Sequence, residues 1–311
     1  VTRILVIKHG ALGDLIQALG PCAAIRRRHP EAEITLLTTP PFVDFLRPAP
    51  YFDSIVADDR PSWTRPMAWL KLARWLRGQK FDRVYDLQTS SRSSTYFRLF
   101  GNPKPEWSGI APGCSHPDPD PGRETAHTID RQAGQLRGAG IPETPPSELS
   151  WVTASVEAFN LPARYAVLVP GGSAHRPTKR WPGFANLAHR LTTLRITPVL
   201  LGTTAEAAVT GEVAKVVPGA IDLTGRTSLA QIAALGRSAA LAVGNDTGPM
   251  HILAVAGAPS LVLFSSESDP ARCAPRTPLT RTLRKPDLKD LSIDAVWSES
   301  LALLAGNPAQ P

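Results

Sequence analysis

Four short stretches of the chain gather side chains able to move a proton or hold an anion, and each follows a run of apolar residues. In Lys8-His9-Gly10-Ala11-Leu12-Gly13-Asp14 two glycines bracket a turn, and an aspartate falls where a helix would start. Glycine relieves a tight turn and Asp is a good helix N-cap, so a structural role accounts for this stretch. The same residues also suit chemistry: Gly13 lets a ligand approach the backbone, and Asp14 is placed to act as a general base. In the second stretch a Gly171-Gly172-Ser173 loop precedes Arg176, Lys179 and Arg180. Exposed backbone N–H groups beside cations are directed at phosphate oxygens. Neither stretch has the GxGxxG or GxxxxGK[ST] spacing, so the standard nucleotide fingerprints are absent.

The third stretch places Glu206 four residues after Gly202, at the expected opening of a helix. The helix dipole alone favours a carboxylate there; aimed into a ligand site, it would accept hydrogen bonds from sugar hydroxyls. The fourth, Asn245-Asp246-Thr247-Gly248 with His251 one helical turn after Thr247, is the sharpest. Helix capping explains Asp246 and Thr247 but leaves His251 unexplained. Amide, hydroxyl and imidazole groups converging on one anion, with Asp246 on sugar hydroxyls, explain all of them.

These residues must be held by something, and the surrounding pattern supplies it. Apolar strand-like runs alternate with helical periodicity at 3–8, 33–38, 54–56 and 83–86, and again from Tyr165 through 260–264. Such alternation implies α/β architecture with parallel sheets covered by helices on both faces. Length and composition, 311 residues with 42% hydrophobic and 20% charged, suit two Rossmann-like domains, 1–155 and 156–311. The Pro- and Gly-rich stretch 101–150, with one helix near 129–139, leads into the connection. Ligands of such folds bind beyond the carboxyl ends of the strands, here expected in a cleft between the domains.

No apolar run approaches the ~20 residues needed to cross a bilayer, and the first residues form a strand with no secretory pattern, so a cytoplasmic protein is expected. Cys22, Cys114 and Cys273 are far apart and imply neither a disulfide framework nor a zinc site. The Asp-x-Asp at 118–120 is the one rival metal signal; it lies in a Pro-rich loop and reads as solvated, so no metal is expected. The net charge is +7, yet residues 60–104 hold ten Lys/Arg against two acids. Within them Trp69, Leu72, Ala73 and Leu76 are spaced as the apolar face of a helix from about 66 to 77. Its cations are read as a solvated surface, or as a face for an anionic lipid or lipid-linked acceptor; a nucleic acid is disfavoured because no binding module accompanies them.

Taken together, the segments resemble the heptosyltransferase family of inverting glycosyltransferases. The family's LGD turn is similar to Leu12-Gly13-Asp14, its KxWP element to Lys179-Arg180-Trp181-Pro182, and its DTGxxH element to Asp246-Thr247-Gly248-Pro249-Met250-His251. The resemblance implies a GT-B fold and transfer of a heptose-like sugar from an ADP-sugar to a lipopolysaccharide core or related saccharide. It implies Asp14 as base, Lys179 as the diphosphate contact, and Gly13, Ser173, Glu206, Thr227, Asp246, Thr247, Gly248 and His251 on the donor. Thr227, near the next strand's start, is expected beside the adenine. The basic N-terminal segment, with Arg60, Lys71 and Arg74, would face an anionic lipid-linked acceptor at the inner membrane surface. No cofactor is implied, because a lysine and a helix N-terminus can neutralise the leaving diphosphate. A nucleotide-sugar epimerase and a non-catalytic sugar-nucleotide binder remain alternatives on the same scaffold.

Overall fold

The computed structural model describes residues 1–118, 120–172 and 175–306. The chain divides into two compact units, Val1–Trp151 and Val152–Pro311.

The first unit runs β1 (Arg3–Ile7), α1 (Leu12–Gln17), α2 (Leu19–Arg28), β2 (Glu33–Thr38), α3 (Pro40–Leu46), β3 (Ser54–Ala57), α4 (Pro66–Gly78), β4 (Arg83–Asp86), α5 (Ser91–Leu99), β5 (Glu106–Gly109), β6 (His116–Pro117) and α6 (Thr128–Gly138). The strands form one parallel sheet in the order β3-β2-β1-β4-β5-β6. Central strands of such sheets are covered on both faces, which is why Ile4, Leu5, Val6 and Ile7 are all fully buried. Leu76, Tyr96 and Phe97 from α4 and α5 close over Leu5, Leu37, Val84 and Trp107.

One helix expected from Leu15 to Arg28 is two. Pro21 has no N–H for the Gln17 carbonyl, and its ring collides with that carbonyl in a continuous helix. The chain breaks at Ala18, and the Ser147 hydroxyl takes up Gln17 O at 3.2 Å while accepting Gly20 N–H at 3.1 Å. Gly20 is required there, since a Cβ would lie 2.1 Å from Pro145 O. The 101–150 stretch, expected to hold one helix, also supplies β5 and β6. Its strands are too short and too rich in Pro, Ser and Gly to show a period.

The second unit repeats the plan with β7 (Tyr165–Val169), α7 (Phe184–Thr193), β8 (Thr197–Leu200), α8 (Ala207–Val216), β9 (Ile221–Asp222), α9 (Leu229–Ser238), β10 (Leu241–Asn245), α10 (Gly248–Val255), β11 (Ser260–Phe264), α11 (Pro270–Cys273), β12 (Thr280–Arg284) and α12 (Ile293–Gly306). Its parallel order is β12-β11-β10-β7-β8-β9. Read from the other edge, this is the same order as the first sheet, with the switch between β7 and β10 corresponding to that between β1 and β4. In open α/β sheets a crevice opens at such a switch, beyond the carboxyl ends of the strands. All four motif-bearing loops lie at carboxyl ends, those after β1, β7, β8 and β10. The GT-B class of architecture, two parallel α/β sheets, is therefore what the chain folds into.

Candidate active site

In the first unit the loop after β1 carries the chemistry. The turn is tighter than the sequence suggests: α1 opens at Leu12, so Gly13 and Asp14 lie in its first turn and Lys8–Ala11 alone make the bend. Gly10 is the glycine the bend requires: its φ is +131°, and a Cβ there would lie 2.9 Å from the Phe42 ring.

Neighbouring strand ends clamp this bend. Gln88, just past β4, accepts the His9 and Gly10 amides on Oε1 at 2.9 and 3.3 Å. Thr39, past β2, donates its hydroxyl to His9 O at 2.8 Å. His9 Nε2 lies 2.9 Å from Asp58 Oδ2, past β3, and Tyr96 donates its phenol to the same oxygen at 2.5 Å. Burial works against charge on Asp58, but its contacts with His9 and Tyr96 prevail and hold the carboxyl below its usual range. Lys8 is buried and donates to Leu87 O at 3.2 Å. Burial lowers the pKa of Lys8, and the Asp14 carboxylate is the strongest charge opposing that shift. Asp86 is fully buried at the end of β4; burial raises its carboxyl to about 6, although Oδ1 accepts the Gln88 and Thr89 amides at 3.1 and 3.0 Å.

The sequence reading did not reach His9, Asp58, Tyr96, Lys8 or Gln88. Its available signal was positional: Lys8, Thr39 and Asp58 each stand immediately beyond a strand, and Gln88 stands two residues beyond β4. Of the residues expected on the acceptor, Lys71 and Arg74 are exposed on α4. Arg60 is exposed in the loop after β3, with φ +49° and its amide on Asp58 Oδ1 at 2.8 Å.

In the second unit Asn245 organises the switch point. Its carboxamide, fully buried, donates to Pro170 O at 2.9 Å and Gly171 O at 3.0 Å and accepts the Trp181 amide at 3.2 Å. One side chain thus joins the loop after β7, the Lys-Arg-Trp-Pro element and the end of β10. Gly244 permits the close approach beneath it, because a Cβ would sit 2.5 Å from Met250 Sδ and 2.8 Å from Val169 Cβ. The motif residues each have a duty. Lys179 Nζ donates to Asp246 Oδ2 at 2.8 Å, with both side chains largely buried. Arg180 grips Gly172 O at 2.6 Å, and the Trp181 indole donates to Leu291 O at 2.8 Å. Ser268 donates to Asp246 Oδ2 at 2.5 Å.

Thr247 is the N-cap of α10, yet its hydroxyl turns back to Asn245 O at 3.2 Å and caps no helix amide. Gly248 is the first residue of that helix and His251 is buried within it. Glu206 is the N-cap residue of α8, as expected of a helix opening, and also ends a 3-10 turn, Thr204–Glu206, and closes a capping box, its Oε2 accepting the Thr203 amide at 2.8 Å and hydroxyl at 3.0 Å. The carboxylate also presses on Gly171, where a Cβ would meet Oε1 at 2.1 Å. Thr227 precedes Ser228, the N-cap of α9, and so stands at the start of a helix, not of a strand as expected. Ser173 lies outside the described residues.

Asp118 is engaged by Arg123 Nε at 2.8 Å, and among the described residues no group of three His, Cys, Asp or Glu side chains is placed to share an ion. Cys22, Cys114 and Cys273 form no disulfide; Cys22 and Cys114 are buried, and burial pushes the Cys22 thiol up to about 12. No helix of the described residues is long and apolar enough to cross a membrane.

This chain is 23% identical over 297 residues to a lipopolysaccharide core heptosyltransferase, OpsX, of Haemophilus influenzae, covering 88% of this chain and 81% of that protein. Among solved structures it is similar to a glycosyltransferase family 9 protein of Veillonella parvula, with a TM-score of 0.85, 22% identity and 98% of each chain covered. It is also similar to the E. coli heptosyltransferase WaaC with ADP, with a TM-score of 0.77, 19% identity and coverage of 97% and 100%. The profile of glycosyltransferase family 9 (heptosyltransferase) matches residues 135–293, just over half of the chain. The chain is therefore a member of glycosyltransferase family 9, the heptosyltransferases.

Proposed function

We propose that the protein transfers a heptose-like sugar from an ADP-sugar to an anionic, lipid-linked saccharide of the lipopolysaccharide core type, at the inner face of the cytoplasmic membrane. The relatives named above support this choice of donor and acceptor. The observation that carries it is the largely buried Lys179–Asp246 pair beside the N-terminus of α10, held at the switch point of its sheet by Asn245. A cation and an uncapped helix start are what a leaving diphosphate needs.

An inverting transfer also needs a base on the opposite side of the anomeric carbon. Asp14 takes that role: it would accept the proton of the acceptor hydroxyl as the oxygen attacks and the sugar–phosphate bond breaks. Lys179 and the amides of α10 would stabilise the nucleoside diphosphate as charge builds on it. Asp246 would fix Lys179 and bind sugar hydroxyls, with Glu206, Thr227, Thr247 and His251 completing the donor site. Arg60, Lys71 and Arg74 would meet the acceptor's anionic groups. On this assignment the first unit is the acceptor side and the second the donor side.

The test compares two variants by calorimetry with ADP and by a turnover assay with ADP-heptose and a core acceptor. Asp14→Asn is expected to bind ADP as the wild type does and to lose about 10²–10⁴-fold in kcat. Lys179→Met is expected to weaken ADP binding and also to lose kcat. A C2-inverted sugar formed from donor without acceptor would replace the transferase reading with an epimerase, and an unchanged kcat in Asp14→Asn would remove Asp14 from the mechanism.

A further inference from the structure

Helix α4 has two faces, and packing explains only the inner one. Ala73 and Leu76 point into the core. On the outer side Met67 and Leu70 are 71% and 40% exposed, in the same stripe as Lys71 and Arg74. Just before the helix Trp63, 61% exposed, stacks on Trp69 with ring centroids 4.5 Å apart. The Arg92 guanidinium lies over both rings, at 5.0 and 5.5 Å. Large apolar side chains exposed together among cations mark an interaction surface, and this mixture suits an anionic headgroup layer.

Beneath the helix lies a cavity of about 300 Å³, walled by Leu37 and Val56 from the sheet and by Ala68, Leu72 and Trp75 from α4. That volume is at the lower end of what small-molecule sites enclose, roughly 300–1,000 Å³. Its charged lining groups are Asp58, Asp59 and Lys71. Asp58 is buried and already engaged by His9 and Tyr96, while Asp59 and Lys71 are exposed to solvent. A saccharide would leave its hydroxyls against apolar walls; a hydrocarbon chain would not. A nucleic acid has no use for the Met67–Leu70 stripe.

We propose that this cavity takes part of one acyl chain of an anionic bilayer lipid, while Trp63, Met67 and Leu70 lie in the headgroup layer and Lys71 and Arg74 meet its phosphates. The inference rests on the reading of a membrane-proximal acceptor, and adds to it a lipid site on the enzyme itself. The occupant is chosen on charge, since the segment 60–104 carries +8, and on the apolar side chains of Leu37, Val56, Ala68, Leu72 and Trp75 that wall the cavity.

The test uses vesicles of phosphatidylglycerol and phosphatidylcholine whose acyl chains are brominated, so that a chain in contact with an indole quenches its fluorescence. Wild-type protein is expected to sediment with the anionic vesicles and to be quenched, with Trp75→Phe removing part of that quenching. Ala68→Phe, which fills the cavity, should remove the same part and still sediment. Met67→Asp with Leu70→Asp should lower sedimentation by about tenfold, since exclusion from the interface loses most of the apolar contribution. Equal quenching in wild type, Trp75→Phe and Ala68→Phe would overturn the acyl site, as would equal sedimentation with neutral vesicles. Thermal melting of each variant keeps a folding failure from passing as a positive result. Transfer to a soluble, delipidated acceptor is assayed on the same preparations: transfer without quenching sinks only the lipid site, and quenching without transfer sinks only the transferase reading.

Discussion

At the scale of single residues, two carboxylates of the first unit behave in opposite ways. Asp58 is kept charged by its partners, whereas Asp86 is raised to about 6 by burial. Folded Asp86 therefore holds its proton up to about pH 6, while the unfolded chain releases it near 3.8. In that window the folded state binds more protons, so stability falls as pH rises and levels off above about 6. The loss is on the order of 3 kcal/mol at ~1.4 kcal/mol per pKa unit. Asp86→Asn, which keeps an oxygen for the Gln88 and Thr89 amides, is expected to flatten the decline between pH 4.5 and 7, read from urea midpoints. An unchanged slope would show that Asp86 ionises normally. Asp14 and Lys179 stand out as candidates at this scale because their residue types and their spacing around the turns suit the chemistry. His9 was not, since nothing local distinguishes a histidine that meets Asp58, 49 positions later in the chain, from one that meets water.

At the scale of elements, the loops work because strand ends bring distant backbones together. Asn245 makes three buried hydrogen bonds to two other segments, the loop after β7 and the Lys-Arg-Trp-Pro element. Asn245→Ala would leave two carbonyls and an amide without partners, at ~1–3 kcal/mol for each unpaired group. A destabilisation of about 3 kcal/mol or more is expected, with loss of ADP binding beyond what the residual folded fraction explains. Ordinary ADP affinity in that variant would show that the loop after β7 holds its shape unaided. The long strands and amphipathic helices could be read from periodicity, down to the inward face of α4. The break at Ala18 depends on Ser147 as well as Pro21, and β6 has two residues, too few for any pattern; neither could be read without the tertiary partners.

At the scale of the whole molecule, charge is placed locally. The first unit has 19 basic and 16 acidic residues, a net +3, so the +8 of residues 60–104 is a stripe on a unit that is otherwise acidic. Exposed charges are screened within about 10 Å at 0.1 M salt and 3 Å at 1 M, and buried pairs much less. Raising salt from about 0.1 to 0.5 M is therefore expected to raise KM for the anionic acceptor several-fold and KM for the donor less, because Lys179 is largely sheltered. Equal effects on both would place the acceptor elsewhere than on the stripe. The division into two α/β units followed from the repeated alternation in the sequence, but the matching order of the two sheets did not, since strand order is decided by crossovers that leave no local mark. The carboxamide at Asn245 carries one more consequence. Loss of its ammonia would leave an acid of the same size whose oxygen faces the carbonyls of Pro170 and Gly171, turning two attractions into repulsions. A carboxylate at this one position would then loosen the switch point of the second sheet, with side-chain size conserved and sign reversed.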